Sequence, residues 1–219
     1  VGAGNIAIGH GSETGMASDA TAIGVFAVAN GASAVALGSA ADAEGADAIA
    51  IGTGASAMGE RSISIGTGNV VNGARSGAIG DPSIIDADDS YSVGNNNTLG
   101  AAANNSFVLG NNVSIDVDNA TALGNATSVT HAGGVALGSQ SVASTASGAA
   151  GYDPRTGLPS TDTSATWVST LAAVSVGSAG NTRQITNVAA GTQATDAVNV
   201  AQLQAAQTHY YSVNDDGVV

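Results

Sequence analysis

Ten short segments share one hydrophobic pattern: an aliphatic or small residue, a small residue, an aliphatic, then glycine. They run from Ile6-Ala7-Ile8-Gly9 through Thr21-Ala22-Ile23-Gly24, Val35-Ala36-Leu37-Gly38, Ile49-Ala50-Ile51-Gly52 and Ile63-Ser64-Ile65-Gly66. Gly77-Ala78-Ile79-Gly80, Tyr91-Ser92-Val93-Gly94, Phe107-Val108-Leu109-Gly110, Thr121-Ala122-Leu123-Gly124 and Val135-Ala136-Leu137-Gly138 complete the series. The glycines are spaced by fifteen residues once, fourteen five times, sixteen once and fourteen twice. Self-similarity at a fixed period marks a repeat architecture, and it outranks any single motif.

A period of fourteen is also two heptads, but the 31 glycines exclude a coiled coil over this region. Each glycine inside a helix loses roughly 1 kcal/mol relative to alanine, and no leucine stripe compensates. Collagen is excluded because glycine does not occupy every third position. The large-small-large alternation is the period-two signature of a strand with one buried face. A weaker strand lies about ten residues before each terminal glycine, as in Val28-Ala29, Val70-Val71, Ile84-Ile85, Val113-Ser114-Ile115 and Ser128-Val129. Two short strands and two tight turns fill the fourteen. Gly31, Gly45, Gly59 and Gly73 supply the second corner, where Ala87, Ala103, Val117 and His131 stand in later coils. The expectation is an all-β parallel roll, its coils about 4.8 Å apart. Its interior is assigned to the large residues Ile8, Ile23, Leu37, Ile51, Ile65, Ile79, Val93, Leu109, Leu123 and Leu137, with the alanines outward. Such an interior leaves no room for a ligand cavity, so contacts are expected on turns and outer faces.

Composition narrows the function. Aromatic content is 3% against 43% hydrophobic, which suits a thin interior of Ala, Val, Ile and Leu, and a thin rod with much exposed surface favours oligomerisation. Net charge is −13 with no lysine and four arginines, Arg61, Arg75, Arg155 and Arg183, which argues against nucleic acid and anionic membrane partners. Absence of cysteine excludes disulfides and thiol chemistry. No apolar run of about twenty residues and no signal peptide occurs, and a start in mid-repeat is expected of a piece of a longer chain.

Beyond about residue 146 the repeat stops. Gly151-Tyr152-Asp153-Pro154-Arg155-Thr156-Gly157-Leu158-Pro159 reads as an irregular connection, Trp167 as a local plug, and Val174-Ser175-Val176-Gly177 as an echo of the roll. Asp196 is placed as the cap of a helix from Ala197 to about Gln207, with Val200, Leu203, Gln207 and Tyr210 at heptad spacing. A helix this short needs partners.

These residues resemble the trimeric autotransporter adhesins of Gram-negative bacteria. The ten repeats are similar to the YadA-like β-roll head, Gly151-Tyr152-Asp153-Pro154 with Trp167 to the head insert, and Asp196-Ala197-Val198-Asn199-Val200-Ala201-Gln202-Leu203 to the neck. Tyr210-Tyr211-Ser212-Val213-Asn214 looks like the opening of a further stalk insertion. Gly77, Thr21 and Thr121 depart from the usual aliphatic, and the sixteen-residue coil ending at Gly110 implies a small bulge. The resemblance implies a homotrimer of left-handed parallel rolls and the start of a trimeric coiled coil. The corresponding parts are a head over residues 1–150, an insert over 151–173, a neck over 174–203 and a stalk start over 204–219. It further implies a bacterial cell-surface location, a membrane anchor outside this stretch, and attachment to host cells or extracellular matrix. Trimerisation is assigned to Ile185, Val188, Asp196, Val198, Asn199, Val200 and Leu203, with the roll faces giving only shallow contacts.

Other chemistry has weak support. The pairs Gly2/Gly4, Gly9/Gly11, Gly52/Gly54 and Gly66/Gly68 lack the third glycine of a dinucleotide loop and read as corners. Asp86-Ala87-Asp88-Asp89 and Asp116-Val117-Asp118-Asn119 lack the nonapeptide spacing of calcium-binding rolls and read as solvated turns. No Gly-x-Ser-x-Gly elbow accompanies His10, His131 or His209, so a catalytic triad is not expected, nor any cofactor or metal. Five Asn-x-Ser/Thr sequons starting at Asn96, Asn104, Asn112, Asn119 and Asn125 follow turn composition. The reading is a binding and display module; the alternative is a structural spacer without a ligand of its own.

Overall fold

The computed structural model describes residues 2–207, and the Tyr210–Asn214 segment lies outside them. The chain divides after Thr182 into two compact units. In the first, long strands of three residues (Ile6–Ile8, Thr21–Ile23 and so on to Val135–Leu137) stack in parallel, and Val174–Ser175 completes an eleven-stranded sheet. Each long-strand register joins identical repeat positions, as in Val35↔Ile49, Ala36↔Ala50 and Leu37↔Ile51. Two-residue strands from Glu13–Thr14 to Ser114–Ile115 form an eight-stranded sheet opposite, continued by the pair Ser128–Val129 and Val142–Ala143. The product is an all-β parallel solenoid with a coil of about fourteen residues.

The interior assignment made from hydrophobicity is inverted. Of the long strand's three residues the middle one points in: Ala22, Ala36, Ala50, Ser64, Ala78, Ser92, Val108, Ala122 and Ala136 are buried. None of Ile8, Ile23, Leu37, Ile51, Ile65, Ile79, Val93, Leu109, Leu123 and Leu137 is buried, and Ile8 and Leu109 are 58% and 50% exposed. Alternation alone permits either solution, and volume decides between them. Each coil brings its two strands back to back, so four inward side chains, one from each strand and each corner, share one slender lumen. In the coils spanning Ala20 to Ala57 all twelve core residues are alanine. Farther along, Val71, Ile85, Leu99 and Ile115 enter from the short strands. Small residues on the opposing strand, Ser64, Ala78 and Ser92, leave room for the first three.

Where the lumen holds larger groups, its corners turn polar and hydrogen-bond from coil to coil. Ser76 Oγ accepts from Ser90 N at 3.0 Å, Ser90 Oγ accepts from Ser106 N at 3.0 Å, and Ser106 Oγ accepts from Ala120 N at 2.9 Å. The same hydroxyls donate to the carbonyls of Ala87, Ala103 and Val117. At the other corner Asn69 Oδ1 accepts from Ser83 N at 2.7 Å and Asn97 Oδ1 from Val113 N at 3.0 Å, while both amides donate to glycine carbonyls of the next coil, Gly80 and Gly110. Every one of these buried polar groups is therefore paired, as burial demands.

Glycine at the end of each long strand is a steric requirement. At Gly52 φ is +126°, and a Cβ there would lie 2.0 Å from the Gly66 carbonyl oxygen. At Gly45 the torsion is ordinary, yet a Cβ would again fall 2.0 Å from a carbonyl, that of Gly59, so close approach alone selects glycine at the second corner. The second residues of the Gly9/Gly11, Gly52/Gly54 and Gly66/Gly68 pairs sit in the left-handed region at φ 66°, 63° and 68°, the corner role expected of them. The two extra residues of the sixteen-residue coil are absorbed in a turn closed by Ala103 N to Gly100 O, so the strands carry no bulge and the ladder Tyr91↔Phe107 stays in register.

After Val142–Ala143 the chain leaves the roll. It forms an antiparallel hairpin of Tyr152–Asp153 with Leu158–Pro159, is stitched at its base by Gly148 N to Ser169 O and Gly151 N to Trp167 O, and returns at Val174. Val174–Ser175, placed by sequence at the start of the neck, is the roll's last rung, paired with Val135 and Ala136. In the second unit, helix α1 spans Val200–Ala205. Its cap is Asn199 rather than Asp196: Asn199 Oδ1 accepts from Gln202 N at 3.0 Å and Gln202 Oε1 accepts from Asn199 N at 3.2 Å, a reciprocal capping box.

Two outcomes test this packing. In urea titrations at concentrations too low for assembly, Ala136→Asp is expected to cost about 3 kcal/mol or more by burying an unpaired carboxylate, whereas Leu137→Asp costs under about 1 kcal/mol. Ser90→Ala strands the Ser106 N–H and should cost about 1–3 kcal/mol, read from the same titration.

Candidate interaction surfaces

The inversion of the roll places its aliphatic residues on the outside of the eleven-stranded sheet. Ile6, Ile8, Leu37, Ile79, Phe107 and Leu109 are each more than 40% exposed, and Tyr91 is 39% exposed beside Phe107. A contiguous apolar face of this length on a chain rich in acid is an association surface. The sequence expectation of shallow Ala/Ser roll contacts is thereby corrected, because those small residues are inside.

The two corners differ in charge. One ridge carries Asp19, Asp47, Glu60, Arg61, Arg75, Asp88, Asp89 and Asp118. Arg75 grips Asp89 of the next coil with Nε–Oδ1 at 2.6 Å and Nη2–Oδ2 at 2.8 Å, and this guanidinium holds the Asp89 carboxyl below its ordinary range. Asx side chains extend the ridge as a ladder: Asp88 Oδ1 accepts from Ala74 N, Asn104 Oδ1 from Asp88 N and Asp118 Oδ1 from Asn104 N, at 2.8 to 3.0 Å. The Asp86–Asp89 and Asp116–Asn119 turns thus spend carboxylates on backbone N–H groups. Among the described residues no three His, Asp or Glu side chains gather as a metal site would need. The other ridge carries no carboxylate or guanidinium from His10 to Gly68; its later part bears Asp81, Asn95 and Asn111, laddered in the same manner.

On the outer face of the short-strand sheet Asp42 has a buried, unpartnered Oδ1. Burial, and then the neighbouring Glu44 carboxylate, raise its pKa. The folded carboxyl thus holds its proton to higher pH than the unfolded one. The contribution of Asp42 to stability is therefore fully present below the ordinary carboxylate range and is lost as pH rises from that range through the raised value.

The neck residues lie in the second unit. Ile185, Val198, Val200 and Leu203 are 61% to 71% exposed. Ile185, Asn187, Val188, Ala197, Val198, Asn199 and Val200 line an open cleft of about 360 Å³. Polar side chains fix this fold: Asn199 Nδ2 donates to Val188 O at 3.2 Å, and Gln202 pairs with Gly191 through both Oε1 and Nε2. Asp196 accepts from Thr192 N at 2.8 Å and Gln193 N at 2.9 Å, and these two backbone donors lower its pKa. Asp196 therefore organises the turn before the helix, and sequence reasoning missed Gln202, whose signal was its place three residues after Asn199. Within the insert, Arg155 forks onto the Asp153 carboxylate at 3.1 and 3.0 Å, leaving Tyr152 and Leu158 exposed on the hairpin.

A stacked roll with an apolar flank, laddered ridges and an exposed aliphatic neck defines a class of elongated binding and assembly modules. Comparison with known proteins agrees. Residues 17–41, 43–69, 57–81 and 118–141 match the YadA head domain repeat, and residues 184–213 match the coiled stalk of trimeric autotransporter adhesin. The autotransporter adhesin BadA of Bartonella henselae is 61% identical over 61 residues, which are 27% of this chain and 2% of that much longer protein. The crystal structure of the collagen-binding domain of Yersinia adhesin YadA superposes with a TM-score of 0.52 and 25% identity, covering 92% of this chain and 96% of that one. The chain belongs to the trimeric autotransporter adhesins.

Asp42→Asn is expected to raise the melting temperature at neutral pH and to flatten its decline between mildly acidic and neutral pH, as followed by circular dichroism. Asn199→Ala removes the cap, and about 1 kcal/mol of local helix stability should go with it, visible as faster amide exchange over Val200–Ala205.

Proposed function

We propose that this chain is the head, neck and first stalk segment of a surface adhesin that attaches bacteria to host cells or extracellular matrix, without catalysis. The observation that carries the reading is repetition: the same outward positions recur over ten coils, so a repetitive host surface meets many equivalent weak contacts at once. Collagen heads the candidate ligands because the solved relative is a collagen-binding domain. No helix among the described residues is long and apolar enough to cross a membrane, and an outer-membrane anchor elsewhere in the protein is part of the proposal.

Assembly as a homotrimer covers the apolar face. Eleven rungs at about 4.8 Å and three residues per strand give a footprint on the order of 500 Å². Stable interfaces bury roughly 800 Å² per partner. The roll face alone falls short, and Ile185, Val188, Val198, Val200 and Leu203 of the neck supply the remainder, with Asp196 and Asn199 holding their backbone. Light scattering across a dilution series tests this. Leu203→Asp and a deletion of residues 183–219 should each lower the concentration-stability of the trimer, and a deletion that stays trimeric wherever the intact chain does removes the neck from the account. Binding of purified trimer to immobilised matrix proteins and to host cells tests adhesion; a trimer that binds neither is a spacer.

A further inference from the structure

We propose that Asn30-Gly31 and Asn72-Gly73 are latent deamidation sites, held unreactive while their rungs are closed and converted irreversibly to acid once a rung opens. They are the chain's two Asn-Gly pairs. Both stand at the same place in their coils, directly after the short strands Val28–Ala29 and Val70–Val71. Glycine is demanded there by close approach: a Cβ would fall 1.9 Å from the Gly45 carbonyl oxygen at Gly31 and 1.8 Å from that of Ala87 at Gly73. The residue before the glycine is free to vary, and Glu44 and Met58 precede the corner glycines Gly45 and Gly59. Asparagine at this position therefore answers to something other than the turn.

Lacking a β-carbon, glycine leaves its own N–H the least hindered backbone nucleophile for the preceding side chain. In deamidation the Gly nitrogen attacks Asn Cγ, its proton leaves with the departing amide nitrogen as ammonia, and a five-membered imide closes. Water then opens that ring to aspartate or isoaspartate, with no other reactant. In the folded roll each participant is tied to the next coil. Gly31 N donates to Ala43 O at 3.3 Å and Gly73 N to Ile85 O at 3.1 Å, and Asn30 N and Asn72 N donate to the same two carbonyls at 3.0 and 2.8 Å. Asn30 Nδ2 donates to Glu44 Oε1 at 2.7 Å and Asn72 Nδ2 to Asp86 Oδ1 at 2.6 Å. Nucleophile and electrophile are both pinned along the roll axis, so ring closure requires local opening of the rung.

The product cannot rebuild that rung. Its carboxylate replaces the amide donor opposite Glu44 or Asp86, and like charges facing each other across strands are destabilising. At Asn30 it joins Asp42 and Glu44, which already repel one another. The isoaspartate form also routes the chain through the side-chain carboxyl, lengthening the backbone by one atom in the middle of a continuous ladder. A rung opened once, by heat or by tension along the roll, is thereby kept from reclosing.

The test incubates the intact chain in mildly alkaline buffer, with and without urea, and follows each site by peptide mass spectrometry. Both asparagines should convert readily in urea and roughly a hundredfold more slowly in the folded chain, where opening breaks three hydrogen bonds at each site. Glu44→Ala frees the Asn30 amide and relieves Asp42, so the roll should keep its circular dichroism while conversion of Asn30 rises roughly tenfold and that of Asn72 stays unchanged. Asp86→Ala should give the mirror result. Asn30→Asp should have a lower melting temperature than Asn30→Ala, because only the former sets a carboxylate against Glu44. Equal rates in folded and unfolded chains would overturn the protection, unchanged rates in both carboxylate variants would remove the clamp, and equal melting of Asn30→Asp and Asn30→Ala would remove the barrier to reclosing. Each of these three results defeats the proposal.

Discussion

Everything in the first unit follows from a lumen that admits four inward side chains per coil and no more. Three-residue strands leave one inward position each, so the interior must be built of the smallest residues wherever both strands and both corners compete for it. That is why twelve alanines suffice for three coils, and why Val71, Ile85 and Leu99 appear only opposite Ser or Ala. The large aliphatics of the long strands, such as Ile8, Leu37 and Leu109, lie instead on the outer face, which makes association of chains a consequence of packing rather than an added property.

The fold was legible because period fourteen, the glycine ladder and the alternation are linear signals. Strand positions such as Val28–Ala29 and Ile84–Ile85 could be read directly. Which side of each strand faces inward could not. A residue's hydrophobicity suggested burial for Leu37 and Leu137, whereas the deciding quantity, the distance between two strands of the same coil, is absent from any local window. The cap was misassigned for a related reason: Asp196 and Asn199 are both good caps, and only the reciprocal bond from Gln202 separates them. Asp196 proved instead to be tied to Thr192 and Gln193.

Interaction surfaces were less legible than the scaffold. Two ridges of opposite character arise because residues fourteen apart become neighbours, so a gradual drift in composition along the sequence becomes a patch in space. Arg75 and Asp89, or His10 and Phe26, meet only through that folding. The left-handed torsion at Phe26, shared by Ala40, Asn96, Asn112, Ala126 and Gln140 at the same corner, likewise cannot be inferred from a phenylalanine in a sequence.

The hydrogen bonds between coils all run along the axis of the roll, and this has a mechanical meaning. Tension applied along that axis loads the rungs in series, so the coil with the fewest cross-links sets the yield force. Coils from Ala20 to Ala57 are joined through their lumen by methyl contacts alone, whereas those from Asn69 to Ala120 add a rivet of serine and asparagine bonds to each rung. The roll is thus a graded cable, compliant over the alanine-filled coils from Ala20 to Ala57 and stiffer over those from Asn69 to Ala120.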